Sequence, residues 1–510
     1  MESFRSDLYY EDIHFRDNLQ FEVETDFAPI PNSKHNVATQ EFYFFIPAAL
    51  QINQHTYSKE QFYKDRTNLI RYKTPEFSFY DLVDKNNSQS PLNRINALEN
   101  VTQNAQNILT IQDELKLLGN IVRSALRTGV RGLMSFIEPP IKPHARDRLE
   151  AACSAFCQDL MRFREAFLRL ENDCMKHWAL TPCQTFMYVD EFISSSIDFY
   201  LTGFLEHLRA SKLDNIHAID RELCQTIAKE KQHRQKYYQE AQEFHKDEHI
   251  AKERVIYHKG LLNKYILDAL LLGLERTSWA DKYGHFVAGL AAGIAMLFYV
   301  LLIFLNVPNL GFNSLPFLLF TVVLYVLKDR IKDGLKAHFQ RHAVRWFSDY
   351  TTQIKSPNGE KVLGKLKEFF SFVSEKGVPD DILHIRQTQF HSDLAEFRRP
   401  ETIFYYKKEM ELGSDESLVR ARRHKLHTVF LFNIHHWLEK ASNPQESFLT
   451  LNLDTMEVDS GQLPKVYHLN IVMKNSFLQP DLQKKVEIKK FRLIIDKTGI
   501  KRVETITTNG

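Results

Sequence analysis

Four histidines lie close together late in the chain and are candidates for metal chemistry: His424, His427, His435 and His436. On a β strand, His427 and His435 would point to the same face, because side chains alternate between the two faces. Zinc requires three or four converging ligands, and neither an HExxH motif nor a cysteine accompanies these histidines. The pattern therefore favours ordinary histidines of a partly exposed strand, and we predict no metal.

The segment GEKVLGKL, from Gly359 to Leu366, has the glycine and lysine spacing of a phosphate-binding loop. It lacks the Ser or Thr that would hold Mg²⁺ after Lys365, and no strand precedes it. Nucleotide binding here is therefore disfavoured. The sequence also contains no GxSxG, no GxGxxG and no kinase motif set. We predict no cofactor, and the sequence leans against an enzyme.

Composition excludes further classes of protein. The 510 residues include 66 basic and 64 acidic side chains, for a net charge of +2, so no nucleic-acid partner is expected. The five cysteines are an odd number and indicate reduced thiols rather than a disulfide framework. Cys153 and Cys157 are four residues apart on a predicted helix, but no CxxC motif or histidine pair completes a metal site.

The stretch from His285 to Leu327 contains no Lys, Arg, Asp or Glu. Within it, Phe286 to Leu305 is an apolar run of about 20 residues, which as a helix would cross the hydrocarbon core of a bilayer. A second apolar run, about 19 residues if counted from Asn309, follows the turn VPNLGFN. The stretch therefore predicts a transmembrane hairpin of two helices in the middle of the chain.

Basic residues follow the second run at once: Lys328, Arg330, Lys332, Lys336, Arg341 and Arg345. The turn between the runs has no basic residue, so the positive-inside rule predicts that both termini are cytoplasmic. The expected location is a cell membrane, crossed more than once, and the inner membrane if the source is bacterial. With Trp346, the basic segment has the composition of a helix that lies on anionic lipids; packing on the helical region is the alternative.

Two glycines four residues apart, Gly289 and Gly293, form a GxxxG motif within the first apolar run. Small residues at this spacing allow two membrane helices to approach closely. We expect the motif to pack the two helices of the hairpin against each other. A contact between copies of the chain, giving a homo-oligomer, is the alternative.

Hydrophobic periodicity divides the chain into five segments, and the fold class is an α+β membrane protein. The segments are a small α+β module (1–90), a cytoplasmic helical region or bundle (91–284), the transmembrane hairpin (285–327), a basic amphipathic helix with a helical linker (328–400) and an antiparallel β domain (401–510). The linker includes a predicted helix over KVLGKLKEFFSFVSEKGVP. Charged residues at Glu230 and Arg234 interrupt the stripe of the last helix before the hairpin, so a bundle is favoured over a coiled-coil rod.

These features predict a non-enzymatic interaction, scaffold or signalling protein, with its two cytoplasmic regions held at a lipid bilayer by the hairpin. Its protein partner is unknown. The alternatives are an oligomeric membrane effector that forms pores and a membrane-anchored enzyme whose site has no recognisable motif. No residue in the apolar runs is charged, so nothing indicates an ion pathway.

Overall fold

The structure is a computed structural model. It describes residues 13–30, 36–98, 105–138, 145–211, 213, 215–237, 249–306, 315–346, 348–357, 361–388, 401–413, 422, 425–478 and 484–506. The strands are β1 (Ile13–Asp17), β2 (Gln20–Phe27), β3 (Asn36–Pro47), β4 (Arg66–Tyr72), β5 (Gly273–Ser278), β6 (Tyr350–Lys355), β7 (Val362–Val373), β8 (Glu401–Leu412), β9 (Leu426–Asn433), β10 (Gln445–Leu451), β11 (Val458–Pro464), β12 (Tyr467–Leu478), β13 (Lys484–Asp496) and β14 (Gly499–Ile506).

The helices are α1 (Lys59–Asp65), α2 (Phe79–Val83), α3 (Pro91–Leu98), α4 (Ala105–Met134), α5 (Ala145–His177), α6 (Leu180–Ala210), α7 (His217–Tyr237), α8 (His249–Leu267), α9 (Trp279–Asn306), α10 (Leu315–Trp346), α11 (Asp380–Gln387) and α12 (His435–Leu438). One helix, α1, lies between β3 and β4, and the described elements from Phe79 to Trp346 are helices except for β5.

Two antiparallel sheets pack face to face. The larger has eight strands in the order β14-β13-β12-β3-β8-β7-β6-β5, and the smaller has four in the order β1-β2-β9-β4. Aromatic side chains fill the space between the sheets; the rings of Phe42 on β3 and Phe430 on β9, for example, have centroids 4.7 Å apart. Burying rings of this size removes a large apolar area from water and stabilises the sandwich. Strands β10 and β11 form a separate hairpin.

Helices α4 to α8 form a bundle whose apolar core continues into one end of the sandwich. The cluster of buried residues that contains Leu118, Phe163 and Phe204 of the bundle also contains Ile70 of β4 and Met410 of β8. The predicted bundle is thus present, and α7 packs within it rather than forming a rod. Glu230 of α7 faces the interior, where it binds Arg164 through two hydrogen bonds of 2.9 and 3.1 Å.

The mixed helix and sheet content and the antiparallel C-terminal strands confirm the predicted class at this level. In addition, β3 lies between β12 and β8, so strands from the first 50 residues and from the last 110 belong to one sheet. This pairing joins segments more than 300 residues apart. Local periodicity carries no information about such a contact.

Several elements differ from the sequence prediction. The helix predicted within the linker is strand β7, and the end of the predicted helical region is strand β5. From Leu366 to Phe370 every second residue of β7 is buried, which is the period of a strand rather than of a helix. Interspersed lysines had obscured this alternation. Within the N-terminal α+β segment, EFSFYDLVD contains α2, and the helix after Ser58 ends at Asp65, where the chain continues as β4.

Cysteine chemistry is also only partly as predicted. Cys153, Cys157 and Cys224 are free thiols. Cys183 is disulfide-bonded, which corrects the expectation that all the cysteines are reduced.

Candidate functional site

One helical segment of the described residues, Gly284–Leu305 in α9, is long and apolar enough to cross a membrane. It has 22 residues, and only 11% of its apolar window is buried. A helix in the core of a soluble protein would be mostly buried, so the exposure of α9 distinguishes it from such a core helix. Length and composition alone give weak support for membrane association.

The predicted second span is not supported. In α10 the apolar part of the described residues runs from Leu315 to Leu327, and Lys328 follows. Residues 309–314, which were counted toward this span, lie outside the described residues. The structure therefore does not support a chain that crosses the membrane more than once, nor does it identify a cell membrane.

Helices α9 and α10 pack against each other, and two alanines of α9 are buried. Ala291 and Ala295 are 0% and 1% exposed, whereas no described atom lies within 4 Å of a Cβ built on Gly289 or Gly293. Two residues along a helix correspond to about 200° of rotation, so the glycines lie on the opposite side from the alanines. The alanines thus form the buried face of α9, and the role of the GxxxG motif, within the hairpin or between copies of the chain, stays a prediction.

The basic flank belongs to the same helix as the second apolar run. Helix α10 is continuous for 32 residues, about 48 Å, so the basic part extends the apolar part and is not a separate helix. The Lys328 ammonium lies 4.0 Å from the ring centroid of Tyr325, while Arg330 and Lys336 are exposed. The side chains of Arg341, Arg345 and Trp346 lie outside the described part of the chain. Binding of this flank to lipid stays a prediction.

Strands β5 and β6 connect the two helices to the sandwich. Ser278, the last residue of β5, pairs with Tyr350, the first residue of β6. Helix α9 begins directly after Ser278, at Trp279. Asp349, just before β6, accepts hydrogen bonds from the Tyr63 hydroxyl at 2.8 Å and the Phe370 amide at 2.7 Å. It also pairs with Lys59. This buried carboxylate therefore fixes the exit from α10 to helix α1 and to strand β7 of the larger sheet.

A cavity of about 980 Å³ lies between the open end of the sandwich and the helical bundle. A row of polar residues crosses the eight-stranded sheet beside it, formed by direct partners on consecutive strands: Glu368 (β7), Lys408 (β8), Gln40 (β3), Asn475 (β12) and Glu487 (β13). The cavity lies on one side of this row, and the aromatic core of the sandwich lies on the other. All of these residues except the fully buried Glu368 line the cavity.

Lys408 is the most unusual member of this polar row. Lys408 is 6% exposed, and its ammonium lies 5.6 Å from the ring centroid of Phe42 and 5.5 Å from that of Phe430. Burial, partly offset by the charge of Glu368, lowers the pKa of Lys408 to about 7. Across the described residues its ammonium has no hydrogen-bond or ion-pair partner.

Both carboxylate oxygens of Glu368, by contrast, have hydrogen-bond partners. It pairs with Arg66, and it accepts hydrogen bonds from Asn68, at 2.7 Å, and from the Tyr406 hydroxyl. On the opposite sheet, Thr25 accepts a 3.3 Å hydrogen bond from Gln40. Lys408 is therefore next to an Arg66–Glu368 pair that already has its own hydrogen-bond partners.

A second polar cluster lies on the outer face of the four-stranded sheet. The ligand atoms of His14, Glu22 and Glu24 lie within 4.8 Å of one another, a set that could hold a metal ion. His427 is 3.1 Å from Glu24 and 2.8 Å from Asp26. Of the described histidines considered from sequence, His427 joins this cluster, whereas His435 and His436 lie on α12. His424 lies outside the described residues.

Sequence reasoning missed both Lys408 and this cluster. One local signal for Lys408 exists, since in β8 it has the same parity as the buried residues Phe404, Tyr406 and Met410.

No family model matches the chain, and no curated protein or solved structure is significantly similar to it.

Proposed function

We propose that the chain is an integral membrane protein, anchored by α9 and α10, that holds its sandwich and helical bundle at the basic side of the bilayer. The observation that carries this proposal is the exposed apolar surface of the two helices. Leu297 and Phe304 on α9 are 72% and 75% exposed, and Leu315 and Val323 on α10 are 72% and 64% exposed. Soluble proteins rarely expose a continuous apolar surface of this extent.

The proposed arrangement is a hairpin in which both helices enter the bilayer from the side of the sandwich. The paired ends of β5 and β6 support this arrangement, because they bring the start of α9 and the end of α10 to one place. The basic half of α10 would then stand at the headgroups, where anionic lipids attract Lys and Arg. Both large regions would lie on that side, cytoplasmic by the positive-inside rule.

We assign this protein an interaction, scaffold or signalling role rather than catalysis. The support is architectural: strands from both halves of the chain form one sandwich, and Asp349 joins that sandwich to the end of α10. A rigid connection of this kind would present one joint surface to a protein partner at the membrane.

Alkaline extraction of membranes tests the anchoring. The full chain should stay with the lipid at pH 11, and a variant with Leu297→Glu and Phe304→Glu should appear in the supernatant. A matched control places the same substitutions at Leu449 and Leu453 of the β10–β11 region, which are 76% and 77% exposed. Release of the unaltered chain, or equal retention of both variants, contradicts the proposal.

A pore-forming or otherwise oligomeric membrane assembly is the second candidate. The open face at Gly289 and Gly293 favours it, because this face is available to another helix. Replacing both glycines by Leu should then abolish cross-linked oligomers in lipid nanodiscs. Gly334→Leu is the matched control, since a Cβ there also meets no described atom. Oligomers that survive the double replacement contradict this candidate.

A further inference from the structure

The unpaired ammonium of Lys408 points to a ligand. A charged group that is more than nine-tenths buried is costly unless an opposite charge compensates it. Glu368 does not supply that compensation, since Arg66, Asn68 and Tyr406 already occupy its two oxygens. An added anion beside Lys408 would compensate the charge of its ammonium. Because Lys408 lines the cavity, the cavity is where such an anion can reach it.

The remaining lining defines the rest of the ligand. Part of the wall is apolar: the strands contribute Phe27, Ile70, Leu366 and Met410, and the helices α2 and α5 contribute Phe79 and Phe156. The side-chain oxygens of Asn68 and Asn475, which also line the cavity, are buried and accept no hydrogen bond from any described group. A volume of about 980 Å³ is within the range of sites for organic ligands.

We propose that this cavity binds an amphipathic organic carboxylate, with its anionic group on Lys408 and its apolar body against the apolar side chains of the wall. The faces of Phe42 and Phe430 hold the ammonium in place, and the free oxygens of Asn68 and Asn475 favour a ligand that also has an N–H or O–H donor. N-acylated amino acids combine these three features. The inference is independent of the membrane anchor proposed above.

The test is calorimetric titration of the full chain in phosphatidylcholine nanodiscs with N-octanoyl-phenylalanine and with its uncharged carboxamide. We expect the acid to bind at least roughly tenfold more tightly than the amide, because only the acid forms a charge-assisted hydrogen bond with Lys408. Octanoate, which lacks the amide donor, reports the contribution of the two asparagine oxygens. Equal affinity for acid and amide, or no binding of the acid at millimolar concentration, overturns the proposal.

Two further measurements locate the site. Lys408→Met should remove the preference for the acid, whereas Lys407→Met, a neighbour on the opposite face of β8, should leave it unchanged. A Lys408→Met variant that keeps the preference for the acid overturns the assignment.

The second measurement needs no variant. The charged groups that face Lys408 are Glu368 on β7 and Arg66 on β4, which are already paired with each other. If only the ammonium form binds, affinity for the acid should be roughly 50-fold weaker at pH 9 than at pH 7. An affinity that does not change with pH overturns the assignment to Lys408.

Discussion

Replacing Lys408 by Met should stabilise the protein, by an amount that depends on pH. In the unfolded chain this lysine has its ordinary pKa of 10.5, whereas burial lowers its pKa to about 7 in the folded protein. Below pH 7 both states are protonated, and the folded state bears the full cost of a buried charge. A difference of about 3.5 pKa units corresponds to about 5 kcal/mol.

The sign of the pH dependence follows from proton binding. Between pH 7 and pH 10.5 the unfolded chain binds more protons at Lys408 than the folded chain, so the cost of this lysine decreases as the pH rises. Above pH 10.5 the lysine is neutral in both states and the cost vanishes. Methionine has a similar length and no charge, so the variant avoids this cost at every pH.

The assay is thermal unfolding of the full chain in one detergent from pH 6 to pH 10. If the chain unfolds as a unit, about 5 kcal/mol corresponds to a rise in Tm of about 5 °C at pH 6 for the Met variant. The rise should shrink toward zero at pH 10. Lys407→Met, on the other face of the strand, should show no such trend. A Tm difference that is constant across this range, or an unaltered chain more stable at pH 6, would refute the reasoning.

Three further predictions concern buried charges elsewhere. Arg164→Met removes the guanidinium that pairs with the buried carboxylates of Asp190 and Glu230, although Asp190 keeps its contact with His233. It should lower stability by about 3–5 kcal/mol in denaturant unfolding, whereas Arg162→Met, at an exposed position, should change stability little. Asp349→Ala removes three contacts at the exit of α10. It should speed proteolysis at the two junctions between strands and helices, after β5 and before β6. An unchanged rate of cleavage would contradict the proposed connection between the sandwich and the two helices. Burial opposes protonation of His427, but its hydrogen bonds to Asp26 and Glu24 outweigh burial and raise the pKa of His427. The variant His427→Gln should therefore be less stable than the unaltered protein at pH 5.5, and this difference should disappear as the pH rises through the folded-state pKa. An equal loss of stability at pH 5.5 and at pH 9 would contradict this prediction.

The C-terminal strands could be predicted because their alternation is local. In β8, for example, Phe404, Tyr406 and Met410 are buried, whereas the residues between them on the other face, such as Tyr405 and Lys407, are only partly buried. Their neighbours in the sheet could not be predicted, since β3 reaches β8 and β12 across more than 350 residues. Strand β7 was missed because Lys365 and Lys367 made its composition resemble that of an exposed helix.

The candidate site could not be read from the sequence for a similar reason. Lys407 and Lys408 are identical neighbours, and one residue of register decides which of them is buried. The partners that make Lys408 distinctive, Gln40 and Asn475, lie far from it along the chain. Likewise, GxxxG identified a face with small side chains, but the helix-packing alanines, Ala291 and Ala295, are offset from it by two residues.

Bilayer depth along α9 tests the central claim most directly. In a cysteine-free background reconstituted in lipid vesicles, single spin labels at Leu290, Leu297 and Phe304, all on exposed positions seven residues apart, report accessibility to oxygen and to a water-soluble nickel complex. Membrane anchoring predicts high oxygen and low nickel accessibility at Leu297, with depth varying smoothly along the helix. High nickel accessibility at all three positions would contradict it.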